Sequence, residues 1–204
     1  SLGFMGTFDG RGYTINNPVL RRGGLFGYIG SATIKNVSVT NATLSSADAN
    51  GEKEGFAYEI TGNAVIENVF FHIKGLAENQ TTGNLFVVAN ALRGNYNENK
   101  FPTMKNALFV ADFTYTGNGR SFAGAHSYGS YMKCENVNVI SGINLYGASD
   151  TSSLAQTAPK RHADAAAFKT ANAGAAYTGN YWTTADGFNY PVFTSAVPFL
   201  TQSI

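Results

Sequence analysis

The sequence is poor in cysteine, in charge and in long apolar runs, and each shortage excludes a class of protein. Cys134 is the only cysteine, so the chain has no internal disulfide and no cysteine cluster for zinc or redox chemistry. No stretch approaches the roughly 20 consecutive apolar residues that a membrane-spanning helix needs. Charged residues make up 13% of the chain and the formal net charge is +1, so no basic patch suits a nucleic acid. We expect no nucleic-acid partner, no membrane span and no cofactor.

The abundant residues favour short strands joined by tight turns. The 204 residues include 23 glycines, 15 phenylalanines and 11 tyrosines, and hydrophobic residues make up 44%. Glycine suits turns, and aromatic residues suit strands. Helix-forming residues are scarce outside residues 163–176. The composition therefore predicts an all-β chain that is long enough to bury one sizeable core.

A four-residue pattern recurs four times along the chain. Each copy has an apolar residue, a charged residue, an asparagine and a small apolar residue. The asparagines are separated by 32, 38 and 30 residues, and alternating apolar residues follow, as in a half-buried strand. The four copies are Ile34-Lys35-Asn36-Val37, Ile66-Glu67-Asn68-Val69, Met104-Lys105-Asn106-Ala107 and Cys134-Glu135-Asn136-Val137.

A second element, with an aromatic residue beside glycine or serine, precedes each copy. Its four examples are Gly24-Leu25-Phe26-Gly27, Gly55-Phe56-Ala57-Tyr58, Gly83-Asn84-Leu85-Phe86 and Ser121-Phe122-Ala123-Gly124. A unit of about 30 residues cannot bury its apolar face alone, whereas stacked units pair equivalent strands in parallel. We therefore expect four to five stacked units. The asparagines of the repeat are predicted to form a structural ladder, bonding backbone groups where each unit bends.

The opening of the chain resembles the GLUG-repeat family of bacterial surface proteins. The resemblance lies in residues 6–15 (GTFDGRGYTI), then Gly24-Leu25-Phe26-Gly27, and then Ile34-Lys35-Asn36-Val37. It covers residues 4–145, and the ending from Tyr181-Trp182 to Tyr190-Pro191 is similar to the closing signature of such arrays. It implies a right-handed parallel β-helix (solenoid) with an adhesin-like role, at the bacterial cell surface, secreted or on a virion surface. The family motif carries no catalytic residue.

The repeat divides the chain into three parts. Residues 1–146 hold the GLUG-like β-solenoid repeats, and residues 147–176 are predicted to form a loop and a short helix that Asp164 caps. Residues 177–204 are predicted to be capping strands, because Asp186-Gly187 between apolar runs is typical of a β-hairpin. We expect this hairpin, with Trp182, to cover the last unit. The abrupt start at Ser1 predicts that the chain is part of a longer chain or assembly.

Few residues suggest catalysis or metal binding. The column of Lys35, Glu67, Lys105 and Glu135 is best interpreted as a charge ladder on an outward face. Asp9 alone offers too few oxygens for calcium, so a plain Asp-Gly turn is the preferred interpretation. The three histidines share no metal-ligand spacing. We therefore predict no catalytic residue and no metal site.

Exposed aromatic side chains are the best functional lead in the sequence. We expect a non-catalytic binding or display module whose partner is a carbohydrate or a host surface protein. The alternatives are a polysaccharide lyase or glycoside hydrolase on a β-helix, which needs two facing carboxylates, and a structural part of a phage appendage. The candidate binding residues are Tyr96, Tyr115, Tyr128 and Tyr131.

Overall fold

The protein is an all-β chain with parallel sheets. Its computed structural model describes residues 3–46, 51–77, 82–94, 100–111, 113–117, 119–125, 132–145 and 159–201. In chain order the strands are β1 (Thr7–Asp9), β2 (Thr14–Asn16), β3 (Val19–Leu20), β4 (Tyr28–Ile29), β5 (Thr33–Leu44), β6 (Lys53–Glu54), β7 (Ala57–Thr61), β8 (Val65–Leu76), β9 (Asn84–Arg93), β10 (Thr103–Val110), β11 (Gly119–Ala125), β12 (Lys133–Ile140), β13 (Lys160–His162), β14 (Trp182–Thr183) and β15 (Val192–Phe193). The helices are α1 (Ala165–Thr170) and α2 (Val197–Leu200), with 3-10 turns at Ala173–Ala176 and Thr194–Ala196.

Two open parallel sheets contain most of the strands. The first sheet has the order β1-β5-β8-β10-β12-β13, and β2 and β3 continue the pairing of β1 along β5. The second sheet has the order β4-β7-β9-β11, with β6 also paired to β9. The four asparagine-bearing copies of the repeat are the four central strands of the first sheet. A hydrophobic core lies between the sheets, where Phe56, in the bend between β6 and β7, meets Phe71 and Phe109 of the first sheet.

The repeat asparagines interrupt the alternation of inward and outward side chains in β5, β8, β10 and β12. Their φ angles lie between 48° and 57°, in the left-handed region that asparagine tolerates better than most residues. The register of β5, β8, β10 and β12 runs through the residues on either side of each asparagine. In β8, therefore, Ile66 and Val69 both point into the core although they are three residues apart. The four asparagines with this backbone are Asn36, Asn68, Asn106 and Asn136.

Aromatic residues of the second repeat element pack in the main core, but the sequence pattern locates them incompletely. Phe26 packs on Phe56 with ring centroids 5.0 Å apart, and Phe122 packs on Phe109 at 5.6 Å. The predicted member Phe86 is instead in register with Glu54 and Ser121, one residue out of phase. Because side chains alternate along a strand, Val87 takes the buried position and Phe86 does not.

The C-terminal segment, residues 163–201, lies along the outer face of the first sheet. Helix α1 begins after Asp164, whose carboxylate accepts a hydrogen bond from the Ala167 N–H at 2.7 Å, as the sequence predicts. Strands β14 and β15 pair in antiparallel fashion across the loop that contains Asp186-Gly187. The sequence did not predict β13, which extends the sheet beyond β12.

The position of the hairpin differs from the prediction that it covers the last unit. Trp182 donates from its Nε1 to Asn68 Oδ1 at 3.0 Å, in the middle of the sheet. The Ser195 hydroxyl donates to the Gly12 carbonyl, next to the first strands. The physical reason is the apolar outer face of the sheet, which only a lateral cover can bury. That face and its cover form a second core of Phe70, Leu108, Val110, Ile140, Phe168, Tyr177, Trp182, Val192, Phe193, Ala196 and Leu200.

The acid stability of the fold is expected to depend on His72, which is half-buried on β8. Its Nδ1 accepts a hydrogen bond from the Asn41 N–H at 3.1 Å, so the ring is neutral at that atom. Burial lowers the pKa of His72 from 6.5 to about 4, and Lys74 adds to this effect. Because the folded pKa is depressed, the stabilisation is complete above about pH 6.5 and is lost as the pH falls towards 4. We expect a loss of at most about 3 kcal/mol from this group between pH 7 and 4.

The control is His72→Asn, which keeps an acceptor in place of Nδ1 but cannot titrate. Urea unfolding at a series of pH values should show a smaller acid loss in this variant than in the parent. Equal acid losses in the two proteins would contradict the assignment to His72.

Candidate functional site: the C-terminal cleft

The aromatic residues predicted to bind a ligand do not form a described surface platform. Tyr96, Tyr128 and Tyr131 lie outside the described residues. Tyr115 is 6% exposed, and its hydroxyl donates to the Gly83 carbonyl at 2.6 Å. Burial raises the pKa of this phenol. Tyr115 therefore joins two segments of the chain and is not the exposed stacking residue that the sequence predicted, because its ring packs against the main core.

Side-chain hydrogen bonds join the repeat asparagines in two pairs. Asn68 Nδ2 donates to Asn36 Oδ1 at 3.1 Å, and Asn136 Nδ2 donates to Asn106 Oδ1 at 2.9 Å. The column starts at Asp9, whose Oδ1 accepts from Asn36 Nδ2 at 2.8 Å. The sequence predicted bonds to backbone groups, whereas these bonds join side chains. One backbone contact does occur, from Asn136 Nδ2 to the Ala176 carbonyl at 3.3 Å.

A column of alternating charge runs beside the asparagines. Lys35, Glu67, Lys105 and Glu135 are in register on neighbouring strands, and Asp9 is in register with Lys35 at one end. Lys105 Nζ lies 3.1 Å from Glu135 Oε2, and Lys35 Nζ lies 3.6 Å from Asp9 Oδ2. These side chains are partly exposed, so solvent screens each pair and its effect on stability is small. The column specifies register and has no catalytic geometry.

The Asp9 carboxylate accepts hydrogen bonds from its own turn and from the next strand. Its Oδ1 accepts from Asn36 Nδ2 and from the Arg11 N–H at 2.9 Å. These hydrogen bonds, with that of Asn36 the largest effect, lower the pKa of the Asp9 carboxyl. Within the described ranges, no group of three or more His, Cys, Asp or Glu side chains is placed to hold a metal ion.

Two buried charged residues on β6 were not singled out from the sequence. Lys53 and Glu54 are both fully buried. Lys53 Nζ donates to the carbonyls of Gly51 and Thr82 at 2.8 and 2.7 Å. Glu54 accepts from the Gly23 N–H and from Asn90, and burial raises the pKa of its carboxyl. These contacts join turns of neighbouring strands, which makes both residues structural.

A recess lies in the C-terminal segment. It is a cleft of about 630 Å³ between α1 with its following 3-10 turn and the loop that joins β14 to β15. Phe168 is buried at its base, and Phe188 and Tyr190 are partly exposed with ring centroids 5.9 Å apart. Tyr190 also stacks on Phe70 of the first sheet, which anchors it. The cleft therefore has an aromatic wall supported by the sheet.

Polar side chains surround this aromatic wall. Exposed Lys169, Asn172, Asp186 and Asn189 line the cleft with it. Lys169 Nζ donates to Asn189 Oδ1 at 3.4 Å, a long and weak hydrogen bond that a ligand can replace. Gly187 has a φ of 89°, a conformation that side chains rarely adopt, and it lets the loop turn back beside Asp186. Apolar ring faces with amide, ammonium and carboxylate groups suit a polyhydroxylated ligand.

The sequence pattern does not predict this cleft. It predicts a cap over residues 177–204 and a helix after Asp164, but no contact between the two. The available signal was the run from Asp186 to Pro191, in which asparagine, glycine and aromatic residues alternate between two strands.

The comparisons with known proteins add no functional assignment. The chain matches no protein-family model, no curated protein and no solved structure. Among the described residues, no helix has the length and apolar character required to cross a membrane.

Proposed function

We propose that the chain is a non-catalytic binding module that recognises a carbohydrate in the C-terminal cleft. The observation that carries the proposal is the aromatic wall of Phe188 and Tyr190 with polar side chains around it. Sugar rings have apolar faces that pack on aromatic rings and hydroxyls that bond to a polar rim. Among the described residues that line the cleft, Asp186 is the only carboxylate. A binding role fits this arrangement better than hydrolysis by two carboxylates.

We propose further that the two sheets are faces of a right-handed β-solenoid at the bacterial cell surface or on a virion. The support is the strand order: from β4 to β5 and from β7 to β12 the chain alternates between the two sheets. Each long strand pairs in parallel with its counterpart about 30 residues away, and parallel crossovers are right-handed in almost all proteins. The extracellular setting rests on the motifs that resemble GLUG repeats.

A glycan array followed by calorimetry tests the binding proposal. We expect the intact chain to bind a subset of glycans weakly, and Phe188→Ala to reduce the affinity about fivefold or more, since aromatic anchors dominate such interfaces. The matched control is Tyr13→Ala, because Tyr13 is 76% exposed and is not among the residues that line the cleft. Equal loss of binding in both variants, or no binding to any glycan, would contradict the proposal.

A turnover assay tests the catalytic alternative. The chain is incubated with pectin, alginate, xylan and host glycans, and reducing ends and unsaturated products are measured. We expect no product. Steady product release that disappears in Asp186→Asn would instead establish an enzyme with its site in this cleft.

A further inference from the structure

The edge of the first sheet at β1, β2 and β3 exposes residues that belong to core columns. One column contains, in register, Phe8, Ile34, Ile66, Met104 and Cys134, and another contains Ile15, Val39, Phe71, Phe109 and Val139. The four members of each column from β5 to β12 are at most 3% exposed. The first member of each column, on β1 or β2, is exposed instead: Phe8 is 39% exposed and Ile15 is 40% exposed.

The two ends of these columns therefore differ. At the β12 end, Cys134 and Val139 are buried, whereas at the β1 end the same positions face solvent. Phe8 and Ile15 thus form an exposed apolar patch at this end, and further exposed apolar side chains lie along the same N-terminal part of the chain, residues 4–28. They are Phe4, Met5, Tyr13, Val19 and Tyr28. A patch of this kind at the end of a repeated structure marks an interaction surface.

The backbone at this edge is also available for pairing. Within the described residues, β1, β2 and β3 each pair with β5 alone. The Gly6 carbonyl accepts from the Thr33 N–H, and the Gly10 N–H donates to the Lys35 carbonyl. In a parallel strand, the backbone groups of alternate residues point to the same side. Because Gly6 and Gly10 bond to β5, Thr7 and Asp9 direct their N–H and C=O groups to the free edge.

The charge column specifies the partner. From β12 to β1 the column reads Glu135, Lys105, Glu67, Lys35 and Asp9, so the next strand in register would place a basic residue beside Asp9.

A second copy of this chain fits poorly. Joined head to tail, it would bring Glu135 towards Asp9, and β13 already pairs with part of the β12 edge.

We propose that this edge is a docking site for an extended strand of a partner polypeptide. The strand pairs in parallel with β1–β3, places apolar side chains over Phe8 and Ile15, and places a lysine or arginine beside Asp9. Strand addition of this type takes affinity from main-chain hydrogen bonds and specificity from alternate side chains. This inference is independent of carbohydrate binding, because the edge and the C-terminal cleft have no residue in common.

A peptide with the sequence of residues 33–44, labelled at its N-terminus, is the probe, because its Lys35 occupies the required register. Fluorescence anisotropy measures its binding to the full chain. We expect saturable binding, and about fivefold weaker binding of the Lys35→Glu peptide. In the Asp9→Asn chain, the two peptides should bind within about twofold of each other, because the amide keeps the turn and removes the charge.

Thr7→Pro separates edge pairing from other modes of binding. Proline removes an N–H that faces the free edge, a position where edge strands tolerate it. The variant should keep its circular dichroism spectrum and melting temperature, and it should no longer bind the peptide. The proposal is overturned by any of three results: no peptide binding by the folded parent chain, unchanged binding to Thr7→Pro, or self-association of the parent that Thr7→Pro abolishes, since the last assigns the edge to a second copy.

Discussion

Replacing Asn68 by alanine is expected to lower the free energy of unfolding by about 2–5 kcal/mol. Two losses add. Alanine removes the amide that donates to Asn36 Oδ1 and accepts from Trp182 Nε1, which leaves both partners unpaired. It also places an ordinary side chain at a φ of 57°, where asparagine is tolerated and alanine is strained. Urea denaturation monitored by circular dichroism measures the change.

Asn68→Gly separates the two losses. Glycine adopts the left-handed conformation freely, so this variant loses the hydrogen bonds alone and should be more stable than Asn68→Ala by about 1–2 kcal/mol. Asn63→Ala is the matched control, because Asn63 is exposed and has no positive φ. It should change stability by less than about 0.5 kcal/mol. Equal stability of the glycine and alanine variants would show that the backbone conformation contributes nothing.

Truncation after Ala176 is expected to convert the protein into aggregates or dimers. The removed residues include Tyr177, Trp182 and Phe193, which bury Phe70 and Leu108 on the outer face of the first sheet. Each large apolar side chain returned to water costs about 1.5–3 kcal/mol. The truncation also removes the Tyr177 hydroxyl, which donates to the Ala107 carbonyl at 2.7 Å. Sedimentation velocity and thermal melting measure the result.

A rescued truncation provides the control. In the shortened chain, Phe70→Thr with Leu108→Thr makes the outer face more polar while keeping residues that suit strands. This variant should sediment as a monomer, although with a lower melting temperature than the full chain. A truncated parent that is monomeric and melts like the full chain would show that the C-terminal segment covers nothing essential.

Residue spacing and residue type predicted the elements whose conformation depends on residues near them in the sequence. The four asparagine-bearing strands, the parallel pairing at intervals of about 30 residues and the Asp164 cap follow from spacing and from residue type. The buried positions of the second repeat element were predicted only in part, because a shift of one residue moves Val87 into the core in place of Phe86. Such a shift depends on the turn geometry between strands, which glycine-rich sequence leaves open.

The sequence pattern does not predict the cleft or the lateral position of the C-terminal segment, for a different reason. Nothing in the spacing of Trp182 or Tyr190 shows which strand they meet, since the contact joins residues more than 100 positions apart, as from Trp182 to Asn68. Apolar residues on both faces of β8 and β10 carry a signal that both faces are covered. Tyr115 was misassigned because aromatic residues serve equally well in cores and on surfaces.

The C-terminal segment also determines how the molecule unfolds. Arrays in which each strand contacts only its neighbours can melt from one end, unit by unit. Here Ser195 bonds to Gly12 across 183 residues, and Tyr177 and Trp182 bond to strands farther along the sheet. Because one continuous segment bonds to the first strands and to β8 and β10, we expect the free energies of the units to be coupled. The chain is therefore expected to unfold cooperatively, and the contacts of highest sequence separation are expected to slow its folding.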